Sequence, residues 1–165
     1  MILLLWMVSC ASAQDSPTNF NVGIGPTLML PVGSSSDVFD AAYGGTVQLA
    51  VQTSNAFTLL AHSGYQYFNY AENGNDTGDF PKYWEIPVLA GAALNLGNIQ
   101  PGLLAGVRIQ HAATTDVQVD VKPQLNVLFN SRFSAQLGWV GLVPSLSDPD
   151  AGDFRGPTLS ALYTF

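Results

Sequence analysis

From residue 20 almost to the last residue, apolar and polar side chains alternate with a period of two. In the closing segment Leu159, Ala161, Tyr163 and Phe165 share one face, while Thr158, Ser160 and Thr164 share the other. Successive side chains of a strand point to opposite sides, so this pattern predicts a strand with one apolar and one polar face. It recurs upstream. Phe20, Val22, Ile24, Leu28, Leu30 and Val32 oppose Asn21, Gly23, Gly25 and Thr27; Tyr43, Val47, Leu49 and Val51 oppose Gly44, Thr46, Gln48 and Gln52. Phe57, Leu59, Ala61, Tyr65 and Tyr67 oppose Thr58, His62, Gly64 and Gln66, and Trp84, Ile86, Val88, Ala90, Leu94 and Leu96 oppose Glu85, Gly91 and Asn95. Ile99, Leu103, Val107 and Ile109 oppose Gln100, Gly102, Arg108 and Gln110. The cleanest case sets Val117, Val119, Val121, Leu125, Val127 and Phe129 against Gln118, Asp120, Lys122, Gln124 and Asn126. The seventh sets Phe133, Leu137, Trp139 and Val143 against Ser134, Gln136 and Gly138. The total is about eight strands, each near the ~9–11 residues that cross a bilayer.

Alternation alone does not say which face points inward. Composition decides. Charged residues make up 10% of the 165, against roughly 25% in a typical soluble domain. A soluble barrel would need charges to coat its outer wall, yet the polar faces here carry mostly Gln, Asn, Thr, Ser and Gly. The apolar faces place aromatics toward strand ends, as a lipid-facing girdle does. The glycines of the polar face (Gly23, Gly25, Gly44, Gly64, Gly91, Gly102, Gly106, Gly138) suit a crowded, narrow lumen. The chain is therefore expected to be all-β: a single antiparallel up-and-down transmembrane β-barrel of about eight strands, apolar face outward. A soluble lipocalin-like binder is the alternative with the faces reversed. The net charge of −7, from 5 basic and 12 acidic residues, argues against nucleic acid as a partner.

Residues 1–13 read as an export signal, with an apolar core from Ile2 to Val8 and a small-residue cleavage motif, Ala11-Ser12-Ala13. No Lys or Arg precedes that core, a departure from the usual pattern. Met7-Val8-Ser9-Cys10 weakly resembles a lipoprotein box. Cys10 is the one cysteine, which excludes an internal disulfide and a cysteine-rich metal site. Residues 14–165 are then the barrel domain. Its connections alternate in length. Gln52-Thr53-Ser54-Asn55, Gly97-Asn98 and Asn130-Ser131-Arg132 are tight turns, whereas 33–40, 71–81, 112–116 and 145–156 are longer links. An even strand count places both barrel termini on the short-turn side, which in an outer membrane is the periplasm. Pro87 and Pro123 fall inside strands, where each removes a ladder donor and predicts a bulge or bend.

Trp84-Glu85-Ile86-Pro87-Val88-Leu89-Ala90, followed by a hairpin and Pro101-Gly102-Leu103-Leu104-Ala105-Gly106-Val107, resembles the small bacterial outer-membrane β-barrel domain family, porin-like or PorT-like and including OmpA/OmpX-type eight-stranded barrels. The resemblance spans roughly residues 19–165. The C-terminal strand ending at Phe165 is similar to the one that the barrel-assembly machinery reads. The resemblance implies the cell outer membrane, outer-membrane lipid as the surrounding phase, a monomer, and no cofactor.

One constellation of ionisable groups stands out. Glu85, Arg108, Asp120 and Lys122 fall on the polar face of consecutive strands. If Leu96 pairs with Ile99, Pro87 lies opposite Arg108, with Glu85 one diagonal step away and Asp120 or Lys122 nearby on the next strand. Two acids and two bases would form a neutral cluster in the lumen, because an unpaired ion in low dielectric is heavily penalised. The expected role is a structural plug; a gate or proton path is the alternative. His62-Ser63 invites comparison with the lipid A deacylases, but their His-any-Ser-Asn pattern is absent, and neighbours on a strand face opposite ways. His111 sits at a strand end and is expected to be solvated. The long links hold most of the acid: Asp37, Asp40, Glu72, Asp76, Asp79, Asp116, Asp148, Asp150 and Asp153. The segments from Asn73 to Asp79 and from Asp148 to Asp153 offer oxygen ligands at spacings calcium can use, without a complete EF-hand loop. Solvated loops are the expectation. The functional expectation is a non-enzymatic envelope protein, acting in envelope integrity or surface contact through its long loops. A narrow porin-like channel and a lipid A-modifying hydrolase are the alternatives.

Overall fold

Eight strands pair in chain order and close on themselves: β1 (Asn19–Met29), β2 (Phe39–Gln52), β3 (Phe57–Tyr70), β4 (Tyr83–Leu94), β5 (Ile99–His111), β6 (Thr115–Leu128), β7 (Phe133–Val140) and β8 (Gly156–Thr164). Every pairing is antiparallel, and the ring is sealed where β8 meets β1, from Gly23↔Thr164 to Met29↔Thr158. The computed structural model describes residues 19–71, 82–112, 114–142 and 155–165. The export signal, Cys10, Val143 and both candidate calcium segments lie outside the described residues.

The short connections form for local reasons. Ser54 Oγ accepts the backbone N–H of Ala56 and of Phe57 at 3.2 and 3.1 Å, which folds the chain back between β2 and β3. Asn130 Oδ1 does the same for Arg132 and Phe133 at 2.8 and 2.9 Å. These are the side-chain-to-backbone bonds that make Ser and Asn turn formers. Gly97 supplies a φ of +67° between Leu96 and Ile99, which pair. At the other end, a 3₁₀ turn (Gly33–Asp37) occupies part of the link expected over 33–40, and β2 already begins at Phe39.

Burial runs opposite to that of a soluble protein. Phe20, Leu103, Val117, Phe129 and Phe165 are exposed by 59, 56, 58, 68 and 75%, while Glu85, Asp120 and Gln136 are wholly buried. The apolar faces point outward, as a lipid-spanning barrel requires. Aromatics collect at both rims of the outer wall. Phe133, Tyr163 and Phe165 meet edge to face at the short-turn rim. Tyr43 pairs with Tyr67, and Tyr65 with Trp84, at the long-link rim.

Several local expectations change. Most inward glycines are required by neighbouring backbone rather than by lumen crowding. A Cβ at Gly44 would run into the carbonyl oxygen of Tyr65, and one at Gly91 into that of Leu103. At Gly138, by contrast, the crowding comes from side chains: its Cβ would lie 2.6 Å from Lys122 Cε and 2.9 Å from Thr158 Oγ1. Pro87 makes no bulge. The β3–β4 ladder skips the positions opposite Pro87 and resumes in the same register. The register shift lies instead in β2, between Phe39 and Ala41.

Candidate functional site: the filled lumen

The inward residues of β6 give a path through the barrel. Starting from the turn to β7, they are Asn126, Gln124, Lys122 and Asp120, each two residues further along the strand. At the short-turn mouth lies an open cavity of about 320 Å³, lined by uncharged polar side chains such as Asn19, Asn21, Gln52, Thr58, Gln100 and Asn126. Amides bound it. The Nε2 of Gln136, on β7, lies 2.6 Å from Gln48 Oε1 and 3.0 Å from both Gln124 Oε1 and Asn126 Oδ1. An amide has two hydrogens for these three acceptors, so they are shared. An apolar patch of Leu60, Leu89, Ala93 and Leu104 packs inside β3, β4 and β5.

Further along, Lys122 Nζ stands 3.3 Å from Nε2 of His62, which comes from β3. A charged ammonium only donates, so it assigns that nitrogen the acceptor role. Thr46 Oγ1 lies 3.2 Å from the same ring nitrogen and donates to the Ser63 carbonyl at 3.1 Å.

Next comes the ion cluster. Arg108 Nη1 lies 3.3 Å from Glu85 Oε2, and its Nε 3.2 Å from Asp120 Oδ2. Arg108, Glu85 and Asp120 are at most 1% exposed. The geometry follows from register. Pro87 and Gln118 face Arg108 from the two flanking strands, so each carboxylate sits one diagonal step from the guanidinium, toward opposite ends of the barrel. The other oxygen of Asp120 accepts the backbone N–H of Val121 at 2.9 Å and of Gly141 at 3.1 Å. Such charge-assisted bonds are what let an ion stay buried. Above this level Met29, Phe39, Ala42, Phe68, Tyr83 and Val140 form an apolar cap, with Phe68 set edge-on to Tyr83 at 4.8 Å.

The structure thus brings Glu85, Arg108 and Asp120 together, but Lys122 makes no ion pair with either carboxylate. It lies two residues closer to the short-turn end than Asp120, passes over Gly138, and ends on His62. His62 is inward and 3% exposed; its strand neighbour Ser63 takes the opposite parity, so the two form no nucleophile–base pair. His111 is not simply solvated. It stacks on Trp84 at 5.0 Å and its Nδ1 lies 2.9 Å from Thr115 Oγ1. Sequence reasoning missed the Lys122–His62 contact, the amide hub at Gln136 and the cap. Inward parity was legible for His62, Gln136, Phe68 and Tyr83, but contacts across the lumen are not register neighbours. Phe39 was hidden by the register shift beside it. Among the described residues no group of three or more His, Cys, Asp or Glu side chains is placed to hold a metal ion.

A closed eight-stranded barrel, apolar outside and polar within, defines a transmembrane β-barrel, and solved structures share the fold. The chain is similar to Ail, the attachment invasion locus protein of Yersinia pestis, with 12% identity over 88% of this chain and 97% of that one and a TM-score of 0.63. Another crystal structure of Ail holds the heparin analogue sucrose octasulfate. Ail in a phospholipid bilayer nanodisc gives 13% identity, 90 and 99% coverage and a TM-score of 0.61. Neisserial surface protein A gives 11% identity, 90 and 98% coverage and 0.53. The chain has the fold of these small outer-membrane barrels. No family model matches it, and no curated protein matches it in sequence.

Proposed function

We propose that this protein is a non-enzymatic component of the outer membrane that acts in envelope integrity or surface contact through its long links. The short-turn rim and both barrel termini then face the periplasm, and the strand ending at Phe165 is the segment the assembly machinery reads. The observation that carries this reading is the filled lumen. Buried ions and an apolar cap occupy its long-link half, which leaves the links as the surface free to meet a partner. Their chemistry narrows that partner. The links and adjoining strand ends carry nine acids but only Lys82 and Arg155 as bases. A polyanion of the kind bound to Ail is therefore disfavoured, and a neutral or cationic partner is favoured.

The test is adhesion of cells displaying the protein to surfaces coated with polylysine, heparin or neutral dextran. Preference for polylysine that fades with salt supports the reading; equal or stronger binding to heparin contradicts it. The open cavity favours one second reading, a narrow channel. Planar-bilayer recordings are expected to show no steady open-pore current, and robust currents would replace the first reading with the second. Lipid A acylation, read by mass spectrometry, is expected to be the same with the wild type, His62→Ala and no protein.

A further inference from the structure

The cavity at the short-turn mouth is uncharged and blind. None of the sixteen residues that line it carries an ionisable side chain. Past the Gln136 hub the lumen is filled, and Lys122 and Arg108 are 2 and 1% exposed. Its volume of about 320 Å³ is at the small end of the ~300–1,000 Å³ typical of small-molecule sites. At ~30 Å³ each, it holds roughly ten waters.

The polar groups of this cavity are held by bonds to one another and to the hub. Gln48 Oε1 and Asn126 Oδ1 accept from Gln136 Nε2 at 2.6 and 3.0 Å. Both side chains line the cavity. With their oxygens engaged, their amide nitrogens are the groups left to face it. On another part of the wall, Gln100 Nε2 and Thr58 Oγ1 donate to Asn95 Oδ1 at 3.1 and 2.9 Å. That leaves Gln100 Oε1 and the Thr58 oxygen as acceptors. The donors stand on β2 and β6, on opposite sides of the ring, and the acceptors on β3 and β5. Ala50, Leu128 and Leu162 add apolar surface. Gly23 keeps the space open. A Cβ there would meet Leu162 and Thr164 only at ordinary contact distances of 3.6–3.7 Å.

We propose that this mouth is a binding site for one ring of an uncharged sugar. A sugar ring carries hydroxyls that donate and accept around its edge and C–H groups on its faces. The cavity offers fixed amide donors, fixed acceptors and apolar patches within one ring's reach. A hexose, with about a dozen heavy atoms, takes the space of those roughly ten waters. An ionised ligand finds no counter-charge on these walls. An extended peptide binds by adding a strand to an open sheet edge, and this barrel is closed. The site lies at the opposite end from the long links and does not depend on what they contact.

The test is a titration in phosphatidylcholine nanodiscs, which bring no sugar of their own, read by NMR at the side-chain NH₂ groups of Gln48 and Asn126. The probes are the methyl glycosides of glucose, galactose, mannose and N-acetylglucosamine, each to about 50 mM, since so small a ligand is expected to bind in the millimolar range. At least one should shift both groups saturably; none doing so would overturn the site. Glucuronate and protonated glucosamine should bind at least about fivefold more weakly than the best neutral sugar, and equal binding counts against the proposal. Tighter binding of N-acetyl-trialanine amide would replace the sugar with a peptide. Gly23→Leu fills the cavity and should weaken sugar binding at least about tenfold, with heat-modifiable gel migration retained. Unchanged binding in that folded variant sinks the proposal. If the variant does not fold, the wild-type titrations decide alone.

Discussion

At its short-turn end the lumen is an open, uncharged cavity of about 320 Å³, lined by amides and hydroxyls together with Ala50, Leu128, Phe133 and Leu162. At its long-link end the same lumen is closed by three buried ions under a cap of aromatic and aliphatic side chains. Both fillings use the inward positions of the same strands, so backbone geometry does not separate them. The difference is access to water. Neutral amides beside an open mouth exchange protein bonds for solvent bonds at little cost. Ions sealed beneath Phe39, Phe68 and Tyr83 have no such substitute and depend on one another. Stability should therefore be concentrated in the long-link half, and substitutions that compare the halves can break that picture.

The largest effect is expected at Arg108. Replacing it with Ala leaves Glu85 and Asp120 buried without their shared cation, a loss of about 3–5 kcal/mol. Arg132, exposed at the turn between β6 and β7, provides the contrast, and its replacement by Ala should barely move the urea midpoint in the same lipid. Equal midpoints for the two variants would mean that water reaches the cluster and that the halves do not differ. Phe68→Ala comes next. Phe68 is wholly buried and contacts Phe39 and Tyr83, and removing a buried ring costs about 3 kcal/mol or more. The same assay on Phe129→Ala, whose side chain is 68% exposed on the outer wall, should show a smaller loss. A larger loss at Phe129 would place the main packing energy in lipid contact rather than in the cap.

How far the sequence carries into this contrast depends on the range of each interaction. Strand parity is local, so inward and outward sets could be assigned residue by residue. Glu85 and Arg108 could be brought together from a single hairpin, because Gly97-Asn98 fixes the β4–β5 register. Lys122 shows where local reasoning stops. Its partner His62 lies three strands away around the ring, and whether Lys122 turns toward His62 or Asp120 depends on the space left above Gly138. The early end of the β6–β7 ladder, at Gln124↔Gly138, depended on a subtler point. Pro123 was recognisable as a ladder breaker, but its consequence rests on Gly141 and on a carboxylate taking over a backbone bond. No periodicity encodes that.

The smallest effects are expected in the water-accessible half, and they should grade with distance from the mouth. Gln136 is wholly buried, and its amide nitrogen lies within 3.0 Å of three acceptors. Replacing it with Ala leaves the oxygens of Gln48, Gln124 and Asn126 without that donor, at a cost of about 1–3 kcal/mol if water does not follow. Asn21, at the open mouth, is solvent-exposed, so Asn21→Ala should change stability by less than about 0.5 kcal/mol. The informative quantity is the difference between the two urea midpoints, measured in one lipid. A clear gap puts the boundary between the wet and dry halves at the amide hub. If Gln136→Ala is as mild as Asn21→Ala, water passes the hub and the boundary moves up to the contact between Lys122 and His62. His62→Ala would then be the first lumen substitution, counting from the mouth, to lower the midpoint.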